Sequence, residues 1–205
     1  MNTTKPYFRH FFLSIFILGI PLISCNNKDK DPSSKETSNL VKNAKTAVKE
    51  ASEMKDNIQL LREKEHLTKD EWESWMPKTL LDLPINSSQI NFMPGLGSCG
   101  ATYKIGNKSI RVMVIDGAGE KGASGVGPYR MSSKINYDEK GSWGTTKTKT
   151  INGLKVKESD LKDDTYNLSL FYGDRFAVDI KTNEVAHDEL QQILTELDLE
   201  RLAKQ

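Results

Sequence analysis

The chain has 205 residues, and its 29 Lys and Arg nearly balance its 28 Asp and Glu, for a formal net charge of +1. A nucleic-acid-binding protein needs clustered Lys and Arg in clear excess, so this charge argues against that class. The two cysteines and three histidines supply few of the ligands that zinc prefers. The sequence therefore predicts no metal site and no cofactor, and it carries no recognisable catalytic motif.

The first 24 residues have the layout of an export signal. Lys5 and Arg9 form a short basic region, and an apolar segment follows from Phe11 to Ile20. A membrane-spanning helix needs about 20 consecutive apolar residues, and Gly19 and Pro21 interrupt this segment. We therefore expect residues 1–24 to be a signal peptide that is removed, which leaves 27 basic and 28 acidic side chains.

The segment Leu22-Ile23-Ser24-Cys25 closes this signal. It resembles the lipobox of bacterial lipoproteins, and the resemblance implies that Cys25 receives a diacylglyceryl group and becomes the first residue of the mature chain. Two or three acyl chains hold a protein on a bilayer far more firmly than one chain does. We therefore expect a protein that is anchored to a membrane without spanning it. A plain signal peptide with a chance cysteine is the alternative.

The residues after Cys25 bear on location. The residue directly after Cys25 is Asn26. An aspartate at this position would resemble an inner-membrane retention signal, so its absence favours the outer membrane. The cluster Lys28-Asp29-Lys30-Asp31 is similar to a surface-export signal, so both the periplasmic and the surface face stay open. Residues 25–37 are polar and contain Pro32, a composition typical of a disordered tether.

A heptad pattern follows over residues 38–66. Its apolar positions recur at alternating spacings of four and three residues: Leu40, Ala44, Ala47, Ala51, Met54, Ile58 and Leu61. This pattern predicts a long helix. The helix is either a coiled-coil segment for self-association or a helix that lies on its own domain, and the sequence leaves both possibilities open.

A globular domain is expected over residues 67–205. Thr68-Lys69-Asp70-Glu71 is a capping box that starts a short helix. Trp72 and Trp75 on this helix indicate core packing, with a sugar-stacking platform as the alternative. Cys99 has no partner within the mature chain once Cys25 is lipidated, so it is either a buried apolar residue or a free thiol.

Three two-residue turns predict hairpins: Gly106-Asn107, Asn152-Gly153 and Gly173-Asp174. Alternating apolar residues on the flanking segments predict about six strands in an antiparallel meander. The segment from Asp188 onward predicts an amphipathic helix that covers one sheet face, through Leu190, Ile193, Leu194, Leu197, Leu199 and Leu202. The fold class is therefore α+β.

The order of these elements is loosely similar to that of the PsbP/Mog1 type of fold, and it resembles small exported α+β modules. The likeness lies in element order alone, so it implies an architecture and no activity.

A glycine pattern follows the strand that ends at Asp116. Gly117-Ala118-Gly119-Glu120-Lys121-Gly122 matches the GxGxxG of dinucleotide-binding units. That motif requires a helix and a parallel neighbouring strand, and the sequence predicts neither here. We instead expect a long mobile loop over residues 117–144, of the kind that is often functional.

This loop region supplies the candidate ligand or partner residues: Asp116, Tyr129, Arg130 and Trp143. Asp116 is a candidate titratable group or a loop cap. The leading hypothesis is a lipid-anchored cell-envelope protein that acts as a non-enzymatic binding module for a protein or glycan partner. The alternatives are an envelope carbohydrate-active accessory protein or enzyme that uses the Asp116 to Trp143 region, and an inhibitor or immunity-type protein.

Overall fold

A computed structural model describes the chain from Ser33 to Gln205, apart from the side chains of residues 33–38, 50–52 and 54. The predicted signal peptide, Cys25 and the first part of the tether therefore lie outside the described residues. The helices are α1 (Ser33–Arg62), α2 (Lys69–Trp75), α3 (Gly119–Gly125), α4 (Gly127–Lys134), α5 (Leu190–Leu197) and α6 (Leu199–Ala203). The strands are β1 (Thr79–Leu80), β2 (Leu83–Ile90), β3 (Ser98–Ile105), β4 (Lys108–Asp116), β5 (Asp138–Gly141), β6 (Gly144–Ile151), β7 (Leu154–Asp160), β8 (Tyr166–Tyr172) and β9 (Phe176–Asn183).

The described strands form one antiparallel sheet in the order β1-β2-β3-β4-β9-β8-β7-β6-β5. The α+β class with an antiparallel sheet is confirmed, but the sheet has nine strands rather than about six. It is also not one meander: β1–β4 and β5–β9 are two meanders, joined where β4 pairs with β9. The three predicted hairpins β3–β4, β6–β7 and β8–β9 are all present.

One face of the sheet is covered by α2, α5 and α6. Trp72 of α2 is fully buried and packs edge-on against Trp75 and Phe176, with ring centroids 5.9 and 6.4 Å apart. The two tryptophans therefore belong to the core, not to an exposed sugar platform. The terminal helices contribute the apolar residues expected from their spacing, all buried: Leu190, Ile193, Leu194, Leu197, Leu199 and Leu202. We call this side the covered face.

The capping box predicted for α2 is confirmed. The Thr68 hydroxyl accepts a hydrogen bond from the Glu71 amide at 3.3 Å, and the Thr68 amide donates to the Glu71 carboxylate at 2.6 Å. The backbone bond from Thr68 holds the pKa of Glu71 below its usual value. Leu67, just before the cap, is buried in the main core.

The second sheet face is covered only at one end, by α3, α4 and α1. A smaller apolar cluster lies there: Leu61, Ile115, Ala123, Val126 and Ala177. Residues 117–144, expected to be a long loop, instead form α3, α4 and β5. These two helices carry the connection from the first meander to the second across the sheet.

The heptad pattern predicts a helix over residues 38–66. Helix α1 starts five residues before the first of these limits and ends four residues before the second. Its C-terminal part lies on its own domain: Leu61 is buried, and Asn57 donates from Nδ2 to the Asp174 carbonyl at 3.3 Å. Leu40, by contrast, is 69% exposed. Of the heptad residues, Ala51 and Met54 have side chains outside the described set.

Candidate functional site

The uncovered part of the second sheet face carries aligned rows of polar side chains. Alternate residues of each strand point to this face, because successive side chains in a strand point to opposite sides. On β4 these are Arg111 and Met113, which alternate with the buried Ile110, Val112 and Val114. We call the uncovered part, from β2 to β7, the open face.

One row crosses the open face in direct cross-strand register. Its members, from β2 to β7, are Ser87, Thr102, Arg111, Lys181, Asn167 and Ser159, each paired with the next. Directly opposite side chains in an antiparallel sheet have Cβ atoms about 5 Å apart. The row is therefore a continuous line of hydroxyl, amide and cationic groups.

A second row lies beside the first, next to α4. Met113 is opposite Asp179, Asp179 is opposite Ser169, and Ser169 is opposite Lys157. The Tyr129 hydroxyl of α4 donates a hydrogen bond to Asp179 Oδ2. Burial, and then this carboxylate, raise the pKa of Tyr129, so the phenol stays protonated as a donor.

Three shallow hollows join along these rows. The first, of about 350 Å³, is lined by β2 and β3 residues and shares Arg111 and Met113 with the second, of about 370 Å³. The second shares Asn167 and Asp179 with the third, of about 440 Å³, which reaches Tyr129. Together they form a trough across six strands, about 24 Å long at 4.8 Å per strand.

The trough has an unbalanced pair of charges at its centre. Arg111 and Lys181 are directly opposite each other and exposed, and the side chain of neither forms a hydrogen bond or ion pair with any residue in the described range 33–205. Asp179, the nearest acid along β9, accepts from Tyr129. Like charges directly opposite each other destabilise a sheet, so this pair works against the stability of the domain.

Asn167 stands next to this pair with an unused acceptor. Its Oδ1 atom is buried and accepts no hydrogen bond from the described part of the protein. A buried polar atom without a partner is uncommon and costs free energy. The centre of the trough thus presents two cationic donors, and the unpaired Asn167 Oδ1 atom lies beneath its surface.

Asp116, one of the residues predicted from the sequence, lies away from the open face and is fully buried. Arg175 donates to both of its carboxylate oxygens, each at 2.7 Å, and the amides of Leu67 and Ala118 donate to it at 2.9 Å. These four bonds tie β4, the α1–α2 connection and the start of α3 together. Of the two roles left open by the sequence, the structure gives Asp116 the loop cap.

The remaining predicted residues do not converge on one site. Tyr129 lines the trough, as described. Arg130 is buried, and its NH1 atom lies 3.7 Å from Asp174 at the β8–β9 turn. Trp143 lies at the β5–β6 turn and is 46% exposed. Of the four, Tyr129 alone belongs to the hollows described on the open face.

The GxGxxG segment has a packing role. A helix does begin within it, at Gly119, contrary to expectation, but α3 has only seven residues and β4 lies between antiparallel neighbours. A Cβ atom on Gly117 would lie 2.6 Å from the Arg175 carbonyl oxygen, and one on Gly122 would lie 2.6 Å from that of Asp116. Gly119 adopts a positive φ of 76°. These positions need glycine because backbone segments approach closely there.

A second polar cluster lies at the far end of the covered face. Glu158 is almost fully buried, and its Oε1 atom is 2.6 Å from Lys149 Nζ and 3.2 Å from His187 Nε2. Among residues 33–205, no group of three or more His, Cys, Asp and Glu is placed to hold a metal ion. Cys99 is buried in the main core, and burial raises the pKa of its thiol to about 12.

The sequence reasoning missed the central residues Arg111, Asn167 and Lys181. Arg111 and Asn167 each sit between apolar neighbours in their strands, and Lys181 follows the apolar Ile180, a pattern that indicates a solvent-facing side. What makes them a site is the pairing of β4 with β9, which places Arg111 opposite Lys181 across 70 residues of sequence. The available signal was the repeated polar alternation on three separate strands.

Comparisons with known proteins give no relative: no protein-family model, no curated protein and no solved structure matches the chain. Within the described residues, no helix has both the length and the apolar character needed to cross a bilayer.

Proposed function

We propose that this chain is a lipid-anchored cell-envelope protein that acts as a non-enzymatic binding module and holds its ligand in the trough of the open face. The observation that carries the proposal is the Arg111–Lys181 pair. Two cations directly opposite each other, with no acid bonded to either in the described residues, oppose folding stability. Residues that lower stability without a compensating contact in the fold are typical of functional sites.

The shape of the open face supports binding along an extended surface. The three hollows are shallow and continuous, and hydroxyl groups, amide groups and charges of both signs line them together with apolar residues such as Phe92 and Met113. Such groups recognise a ligand through many moderate hydrogen bonds.

The alternative of an enzyme that uses the Asp116 to Trp143 region has less support. Asp116 is saturated by Arg175 and two main-chain amides, and its carboxylate faces the buried junction of α2 and α3. Trp143 lies at the β5–β6 turn, at the edge of the sheet.

The membrane anchor is proposed from the lipobox-like Leu22-Ile23-Ser24-Cys25. Replacing Cys25 by serine should abolish incorporation of labelled fatty acid. A wild-type chain that incorporates none would contradict the anchor.

Lysine footprinting in cell envelopes tests the proposed binding surface. Lys181 and Lys204 are both exposed, but only Lys181 lies in the trough. An amine-reactive reagent should modify Lys181 much more slowly in native envelopes than in the purified full chain, because a bound ligand covers it. Lys204 at the C-terminus is the matched control and should react equally in both samples. Equal reaction of Lys181 in the two samples would contradict the proposal.

A further inference from the structure

We infer that the ligand of the open face is an oligosaccharide that carries carboxylate groups, bound with a carboxylate between Arg111 and Lys181. This inference rests on the proposed function and specifies its ligand. It is drawn from the chemistry of the trough centre, its lining and its charge.

The cationic pair selects an acidic group. Arg111 and Lys181 offer donors only, and their side chains are free of bonds to the described residues. The planar guanidinium of Arg111 matches a carboxylate in geometry, and charge-assisted hydrogen bonds are the stronger kind. A carboxylate seated here would also remove the repulsion between the two cations.

The lining favours a sugar over a protein partner. Hydroxyl and amide groups line the trough on both sides of the centre: Ser87, Gln89, Thr102, Ser159 and Ser169. These groups donate and accept hydrogen bonds, as sugar hydroxyls do. Protein interfaces are centred on apolar and aromatic anchors. Two half-buried apolar side chains, Phe92 and Met113, also line the trough. The most exposed large apolar side chains of the described residues lie outside it: Leu40, Val41, Val48, Leu60, Ile85, Ile105 and Trp143.

Charge complementarity agrees with this ligand. The protein is nearly neutral overall, yet the two rows contribute Arg111, Lys181 and Lys157 against the single acid Asp179. Lys157 lies over the Tyr137 ring at 4.3 Å from its centre, and Asp179 is engaged by Tyr129. The local field over the trough is therefore positive and favours an anion.

The test uses the full chain in a neutral detergent and three probes of similar length: hexagalacturonate, the neutral maltohexaose and the acidic peptide hexaglutamate. Calorimetric titration should show the tightest binding to hexagalacturonate. Arg111→Ala and Lys181→Ala should each weaken that binding tenfold or more, because each removes a charge-assisted hydrogen bond. Lys204→Ala, at an exposed position outside the trough, is the control and should bind like the wild type.

Each of the other possible binding results would contradict the inference. Equal or tighter binding of hexaglutamate would overturn the assignment to a sugar, and equal binding of maltohexaose would overturn the role of the acid. Hexagalacturonate binding that survives both alanine variants, or no binding at millimolar concentration, would overturn this inference. If Lys181 is protected in envelopes while hexagalacturonate does not bind, this inference fails and the proposed function stands. If neither is observed, both fail.

Discussion

The covered face and the open face are built from the same strands, but alternate residues of those strands have opposite roles. On β9, Phe176, Val178 and Ile180 are buried under helices, whereas Asp179 and Lys181 belong to the polar rows. Apolar burial is the main source of folding stability. The comparison indicates that the covered face specifies the fold and leaves the open face free to specify a ligand.

The two faces also differ in how the chain covers them. Segments from both ends of the domain, α2 near its start and α5 and α6 at its end, cover the first face. Helices α3 and α4, from the middle of the chain, cover only one end of the second face. Because these helices are short, the remaining polar rows are left open.

The largest effect is expected at the centre of the covered face. Trp72→Ala should lower the free energy of unfolding by about 4 kcal/mol, since it empties a fully buried aromatic site. Trp143→Ala, at a 46% exposed position, should change it by about 0.5 kcal/mol or less. Chemical denaturation of both variants gives the two values. Similar losses would show that the domain does not depend on this core.

A somewhat smaller effect is expected at the junction that Asp116 holds. Asp116→Ala leaves the Arg175 guanidinium, which is 15% exposed, and two amides without their acceptor. Breaking a buried ion pair in this way lowers the free energy of unfolding by about 3 kcal/mol. The partial exposure of Arg175 makes the expected loss somewhat smaller here. Urea denaturation measures the loss. A double-mutant cycle with Arg175→Met should show strong coupling, and additive effects would refute the role of the pair.

The covered end of the second face should depend on α1 to a lesser degree. Leu61→Ala should cost about 2 kcal/mol, at the low end for a buried leucine because the surrounding cluster is small. The adjacent Leu60 is 63% exposed and is the matched control, with little change expected for Leu60→Ala. Thermal unfolding compares the two. If Leu60→Ala is the more damaging change, α1 packs through the side that carries Leu60 and not through the heptad position Leu61.

Local signals allowed part of this fold to be predicted from the sequence. The hairpin turns, the capping box at Thr68 and the helical spacing of Leu190 to Leu202 each depend on residues close together in the chain. Three strands were missed. Strand β1 has only two residues. The sequences of β2 and β5 are largely polar, and β5 has only four residues, all exposed. Pairing with β3 and β6 supplies what their own propensity lacks.

The remaining differences between the predicted and the observed structure come from contacts between segments that are distant in the sequence. The glycine-rich α3 has poor intrinsic helix propensity, and it forms where Gly117 and Gly122 allow close backbone packing. The candidate site could not be located for the same reason. Arg111 and Lys181 look like ordinary solvent-facing residues until β4 pairs with β9. Asp116 drew attention as an acid at the end of an apolar strand, but its partner Arg175 lies 59 residues further on.

Charge reversal in the trough tests the central claim most directly, by measuring stability and ligand binding on the same sample. Lys181→Glu places an acid opposite Arg111, so the free energy of unfolding should stay the same or rise by up to about 1 kcal/mol. Titration of the same sample should show that binding of hexagalacturonate is lost, because the carboxylate of the ligand meets a new negative charge. A variant that binds as tightly as the wild type, or one that loses binding only together with stability, would contradict the account.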